Sequence, residues 1–176
     1  MKIFYAVNFD KETSETLLKL QEDLKGHVRA GRWSRDENLH MTLHFIGEID
    51  ESELPTYKKA LEETAEAAEP FTMRFTSYGS FRQGTQDLVY VKTKNTGDML
   101  HIISGIIKNL LKIDDTELFK PHITLVRRAE MNHSTLKVLK KKRFSFPPSK
   151  ITTIELMESR KVDGNLSYIP LHSAKL

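Results

Sequence analysis

The sequence predicts an α+β fold, with helices packed outside antiparallel or mixed sheets and two similar lobes meeting at a cleft. Three observations lead there. Strand-type and helix-type segments mix along the chain without the long strand–helix–strand rhythm of a parallel sheet. The pattern His-x-Thr-Leu occurs twice, at residues 40–43 and 122–125, about half the chain apart. Each copy lies in a strand-like setting, as expected if each lobe offers one strand to a shared cleft. A length of 176 residues suits one compact domain or two closely packed lobes.

The elements run in order along the chain. Residues 2–8 (KIFYAVN) are apolar and aromatic, which suits a short strand. Asp10 stands where an N-cap accepts from the free amides of a first helical turn. Leu17, Leu18, Leu20 and Leu24 give that helix an apolar face through about Lys25. Gly26 and Gly31 punctuate the segment after it. Residues 39–47 (LHMTLHFIG) alternate, which puts Leu39, Met41, Leu43 and Phe45 on the core side and His40, Thr42, His44 and Ile46 on the other. Asp50 and Glu53 form a capping pair for a helix to about Glu69, with Pro55 in its first turn and Pro70 at its end. Strands come next near 71–80 and 86–94, joined by a hairpin loop at Arg82-Gln83-Gly84. A helix pattern spans roughly 97–113, and Asp114 and Asp115 close it. Residues 121–128 (PHITLVRR) are strand-like, and a short helix covers 133–142. Two late strands, near 149–160 and 166–174, flank the turn Asp163-Gly164-Asn165.

Composition narrows the function. Hydrophobic residues make up 39% and charged residues 29%, enough for a packed core. Cysteine is absent, which excludes a thiol nucleophile, a disulfide framework and a Cys-ligated metal or cluster. No apolar run reaches the length of a membrane span, and the apolar start of MKIFYAVNFD is too short for a signal peptide, so a cytoplasmic protein is expected. No Gly-x-x-x-x-Gly-Lys-Ser/Thr loop is present, which argues against dependence on ATP. The net charge of +3 permits a polyanionic partner without requiring one. The basic run from Lys137 to Arg143 reads either as a solvated helix end or as an RNA backbone contact. No interface heptad is present, and a monomer is expected.

The repeated motif carries the chemistry. Residues i and i+2 of a strand point to one side, so His40 faces one way with Thr42, and His122 with Thr124. Two such strands side by side bring together two imidazoles and two hydroxyls. Hydrolysis of a cyclic phosphodiester needs a base to activate water and an acid to protonate the leaving oxygen, on opposite sides of phosphorus. Histidine fills either role near neutral pH. Threonine hydroxyls can donate to the non-bridging oxygens, where charge gathers in the transition state. No metal and no cofactor are needed.

The paired H-x-T motifs resemble those of the 2H phosphoesterase superfamily, and within it the RNA 2′,3′-cyclic phosphodiesterases, or 2′-5′ RNA ligase-like (LigT-type) proteins. FYAVNFD, RWSRDENLHMTLHFIGEI, KPHITLVRR and ESRKVDGNLSYIPLHSAKL carry the resemblance over nearly the whole chain. It implies a bilobal duplicated fold with a central cleft, so that residues 1–176 form a single domain of two pseudo-symmetric lobes. It implies His40 as proton donor to the leaving oxygen, His122 as proton acceptor from water, and Thr42 and Thr124 as phosphate ligands. A basic residue after the second motif maps onto Arg127. Strict alternation would instead put Arg128 on the His122 face, unless a bulge or the strand's end turns Arg127 inward. The implied reaction opens a 2′,3′-cyclic phosphate RNA end to a 2′-phosphomonoester, with reverse 2′-5′ ligation as a secondary activity.

Further candidates are weaker. His44 shares the His40 face and, with Tyr168 of the closing strand, is a candidate substrate contact; nucleobases stack on aromatics such as Tyr168 or Trp33. Arg32 and Arg35 read equally as phosphate attractors and as surface charges. His40 and His44 would form a metal pair only on a helix, and no third ligand is evident. His27, His101, His133 and His172 have no partner pattern and read as structural. Two other functions use the same residues: a phosphodiesterase acting on a small nucleotide (a cyclic phosphate of ADP-ribose or a 2′-5′ oligonucleotide), and a non-catalytic RNA-binding module.

Overall fold

The computed structural model describes all residues, 1–176. Its elements are β1 (Lys2–Asn8), α1 (Lys11–Lys25), β2 (Val28–Trp33), β3 (His40–Glu48), α2 (Leu54–Ala67), β4 (Phe71–Gln83), β5 (Gln86–Asn95), α3 (Met99–Leu110), β6 (Ile123–Met131), α4 (His133–Lys141), β7 (Ser149–Ile151), β8 (Thr153–Val162) and β9 (Asn165–Lys175). No helix is long and apolar enough to cross a membrane.

The strands form two sheets, ordered β3-β1-β8-β9 and β2-β6-β5-β4-β7. Every pairing is antiparallel, so the mixed alternative falls away. The expected late strand at 149–160 is two strands in different sheets: β7 pairs with β4, and β8 with β1 and β9. β2 was not foreseen. Four of its six residues are exposed, because it is an edge strand paired only with β6, and it lacks an apolar signature.

Local chemistry accounts for the helix starts. The Asp10 side chain accepts from the Thr13 amide at 2.8 Å. Asp50 and Glu53 cap each other's backbone at the short 3-10 turn leading into α2, and Pro55 sits in the first turn of that helix. Leu17, Leu20 and Leu24 of α1 and Leu100, Ile103 and Ile107 of α3 are buried.

Helices and sheets interleave. α1 follows β1 of the four-stranded sheet but packs on β2 and β6 of the other. α3 follows β5 of the five-stranded sheet but packs on β3 and on α2, which covers β8 and β9. One apolar core joins the two layers, and each sheet takes strands from both halves of the chain. β3 and β6, the motif strands, meet where the sheets approach.

Both motif strands break period two, in matching places. On β3, Leu43 and Ile46 have no direct partner on β1. On β6, Leu125 is unpaired against β5, and Arg127 with Arg128 oppose the single residue Leu88. The motif leucine is thus the extra residue in each copy. It is buried in both, at 1% and 0% exposure for Leu43 and Leu125. Carbonyls freed from the ladder are satisfied from elsewhere: Leu43 O accepts from the Ser104 hydroxyl at 3.1 Å, and Leu125 O from the Ser34 amide at 2.9 Å and Gln21 Nε2 at 3.0 Å. One expectation fails as a result. Past Leu43 the alternation lapses, so Phe45 is 55% exposed while Ile46 packs against the core.

Gly79 of β4 lies opposite Tyr90 of β5. A Cβ at Gly79 would stand 2.5 Å from atoms of the Tyr90 ring, which is stacked on Phe81. Gly79→Ala is expected to destabilise the fold by about 1–3 kcal/mol through overpacking, read as a lower urea midpoint. An unchanged midpoint would show that the Tyr90 ring yields freely.

Candidate active site

His40 opens β3 and His122 immediately precedes β6. Each imidazole is held in the same way. His40 Nδ1 lies 2.7 Å from the Asn38 carbonyl, and His122 Nδ1 lies 2.7 Å from the Lys120 carbonyl. A carbonyl only accepts, so each Nδ1 carries the proton. In the neutral ring Nε2 is then a free base. The Thr42 hydroxyl donates to His40 Nε2 at 3.0 Å.

Each ring also sits between two aromatic neighbours. His40 contacts Phe4 at 5.0 Å and the edge of Tyr168 at 4.8 Å, over a small apolar cluster of Phe4, Ala6 and Met157. His122 contacts Phe81 at 5.2 Å and Tyr90 at 5.3 Å. This apolar seating governs protonation. Burial pushes the His40 pKa down to about 4, against the Asn38 carbonyl and helped by the charges of Arg127 and His122. Burial also lowers the His122 pKa, against the Lys120 carbonyl and helped by Arg127. Both shifts favour the neutral ring.

The two histidines share a cleft of about 400 Å³ with Thr42 and Thr124. Arg32, Arg35 and Arg127 line it, and no carboxylate does. Arg35 is partly spoken for by Glu37 at 2.6 Å. The cleft is therefore an anion site rather than a cation site. No group of three or more His, Asp or Glu side chains converges in a metal-binding arrangement.

Of the candidates, Tyr168 and Trp33 line this cleft. Arg127 lines it and Arg128 does not. Arg128 takes a left-handed backbone, φ 52°, within the bulge, which turns Arg127 to the cleft side. His44 does not line this cleft; it faces an adjoining one, where burial and then Lys108 lower its pKa against Asp115. The basic residues Lys137–Arg143 lie in and just beyond α4, which packs on β4, and none lines either cleft.

Asn38 was missed. Its carbonyl holds His40, its Nδ2 donates to Leu166 O at 2.8 Å, and its Oδ1 accepts from the Tyr168 amide at 3.2 Å. It thereby ties the β8–β9 hairpin over the cleft. A single Asn in RWSRDENLH carries no signal of this role. Ser34 was missed as well; its hydroxyl donates to Thr124 O at 2.7 Å and steadies the second motif.

The His40 pKa has a consequence for stability. Its folded value of about 4 lies below the ordinary 6.5, so the unfolded chain binds this proton first as pH falls. The stability this group carries is complete above about pH 6.5 and lost down to about pH 4, amounting to about 3 kcal/mol. In NMR titration His40 is expected to stay neutral to about pH 4, and His40→Gln is expected to flatten the acid loss of stability over that window. A His40 midpoint at the ordinary value would show a solvated ring.

Residues 7–90 match the LigT-like phosphoesterase family. An Archaeoglobus fulgidus protein named RNA 2′,3′-cyclic phosphodiesterase is 28% identical over 145 residues, 80% of this chain and 80% of that protein. A Thermus thermophilus protein of the same name is 32% identical over 138 residues, 73% of this chain and 69% of that one. Among solved structures, TT0787 of Thermus thermophilus superposes with a TM-score of 0.76 at 26% identity, covering 100% of this chain and 98% of that one. Apo LigT of E. coli superposes with a TM-score of 0.73 at 20% identity, covering 99% and 96%, a likeness of fold. The chain belongs to the LigT-like phosphoesterases of the 2H superfamily, and is an enzyme of that class.

Proposed function

We propose that this phosphoesterase opens 2′,3′-cyclic phosphate ends of RNA to 2′-phosphomonoesters by acid–base catalysis between His40 and His122, with residues 1–176 acting as one domain. The observation that carries this reading is the matched pair of imidazoles, each fixed through Nδ1 to a backbone carbonyl, in one arginine-lined cleft. The names of the Archaeoglobus and Thermus relatives support the substrate.

In the proposed reaction the cyclic phosphate sits between the rings. His122 Nε2 takes a proton from water as the oxygen attacks phosphorus. The P–O3′ bond breaks, and His40 Nε2 gives its proton to O3′. The donor and acceptor roles follow the family resemblance. Arg127 and the hydroxyls of Thr42 and Thr124 hold the non-bridging oxygens. The Thr42 hydroxyl, bound to His40 Nε2 in the free protein, turns to the phosphate when His40 is protonated, because a protonated Nε2 no longer accepts. With the 5′-hydroxyl of a second strand in place of water, the same groups would form a 2′-5′ linkage as the P–O3′ bond breaks, with water as the competing nucleophile.

The first test is hydrolysis of a short RNA with a 2′,3′-cyclic phosphate end, in EDTA. His40→Ala and His122→Ala are each expected to lower kcat by about 10²–10⁴. Turnover indifferent to either change, or abolished by EDTA, would overturn the reading.

The pH profile is a second test. The cycle starts with one proton on the histidine pair, and both pKa values lie below 6.5 in the free enzyme. kcat/KM is therefore expected to fall with rising pH along a limb whose midpoint lies below 6.5, because that proton is lost. A bound phosphate anion favours imidazolium, so the alkaline limb of kcat is expected at higher pH than that of kcat/KM. Coincident limbs would show that the bound anion does not set the proton on the pair.

A further inference from the structure

The arginine-lined cleft does not end at the histidines. Beyond Thr42 and His122 it continues into a second compartment of about 440 Å³. The two compartments share those two residues, so a phosphate at the histidine pair lies at their junction. The first compartment is bounded by the hairpin residues Gly164, Asn165 and Leu166 and has the size of a site for one small ligand.

The second compartment is walled on one side by β3 and on the other by the connection between α3 and β6. That connection is tethered. Lys108 Nζ lies 3.1 Å from Asp115 Oδ2 and donates to Glu117 O at 3.2 Å, and His101 Nε2 lies 3.1 Å from Phe119 O. The compartment presents two large apolar side chains to solvent, Phe45 at 55% and Leu118 at 84% exposure, together with the ammonium of Lys120 and the carboxylates of Glu117 and of Asp115, the latter paired with Lys108.

The exposure of Phe45 has a structural cause that links it to the site. Phe45 stands two residues after the bulged leucine of the first motif, as Arg127 stands two residues after that of the second. An irregularity lies at Ile46 in the first copy and at Arg127–Arg128 in the second. Phe45 and Arg127 are thus equivalent positions of the duplicated motif. One copy turns a guanidinium into the first compartment, and the other turns an aromatic ring into the second.

We propose that the second compartment binds the penultimate nucleotide of the RNA strand, with its base against Phe45 and Leu118 and its phosphate near Lys120. This rests on the RNA cyclic phosphodiesterase reading. A base presents an apolar face to an aromatic whatever its identity, and the ammonium matches a linking phosphate.

The test compares a 2′,3′-cyclic mononucleotide with a dinucleotide carrying the same terminal cyclic phosphate. In the wild type, kcat/KM for the dinucleotide is expected to exceed that for the mononucleotide by about tenfold or more, mainly through KM. Phe45→Ala is expected to bring that ratio close to one, and Leu118→Ala to lower it; both residues are exposed, so the fold is retained. Equal kcat/KM for the two substrates in the wild type, or a ratio unchanged in both variants, overturns the subsite while leaving the cyclic phosphodiesterase reading in place. Absence of wild-type turnover on both substrates overturns that reading and the subsite with it.

Discussion

Two backbone hydrogen bonds set the direction of the cleft chemistry: His40 Nδ1–H to the Asn38 carbonyl and His122 Nδ1–H to the Lys120 carbonyl. Each spans two residues, so each ring is anchored to its own strand's approach. A flip of the His40 ring would take the donor from the half-buried Asn38 carbonyl, a loss of about 1 kcal/mol. The tautomer is therefore a property of the backbone, and Nε2 is the nitrogen that carries no proton in the neutral ring of either copy. The aromatic neighbours do the remaining tuning. By burying the rings they lower both pKa values.

The bulges decide what accompanies those rings. A perfect ladder after each motif would send Phe45 into the core and Arg128 to the cleft. Leu43 and Ile46 lack partners on β1, Leu125 lacks one on β5, and Arg127 with Arg128 face the single residue Leu88, which changes that. The disruption is tolerated because Ser104, Ser34 and Gln21 satisfy the freed leucine carbonyls from neighbouring segments. Irregular pairing here sets position, since a bulge redirects a side chain without lengthening a loop.

Much of this was legible in the sequence, and the illegible parts share a cause. Period two over Leu39–Leu43, the Asp10 cap, the Asp50–Glu53 pair and the repeated motif are local signals, and the structure carries them. The α+β class and the two sheets about a cleft came from them. Phe45 was misplaced because a bulge is not written in residue type. β2 escaped because an exposed edge strand such as VRAGRW has no apolar face. Asn38 escaped because its contacts to Leu166 and Tyr168 depend on a hairpin more than a hundred residues away. Arg127 was favoured over Arg128 by resemblance alone; periodicity pointed the other way.

The interleaving of the layers bears on how such a duplication can be divided. The strands carrying the two motifs come from different halves of the chain, yet each sheet is closed by strands from the other half, and α1 and α3 each cover the sheet they did not leave. A cut between the repeats would not release two half-sized modules. It would give two fragments, each holding parts of both sheets with unpaired edges and stripped faces. The lobes are therefore interlaced rather than strung like beads on a linker, and neither half of the chain carries a complete sheet.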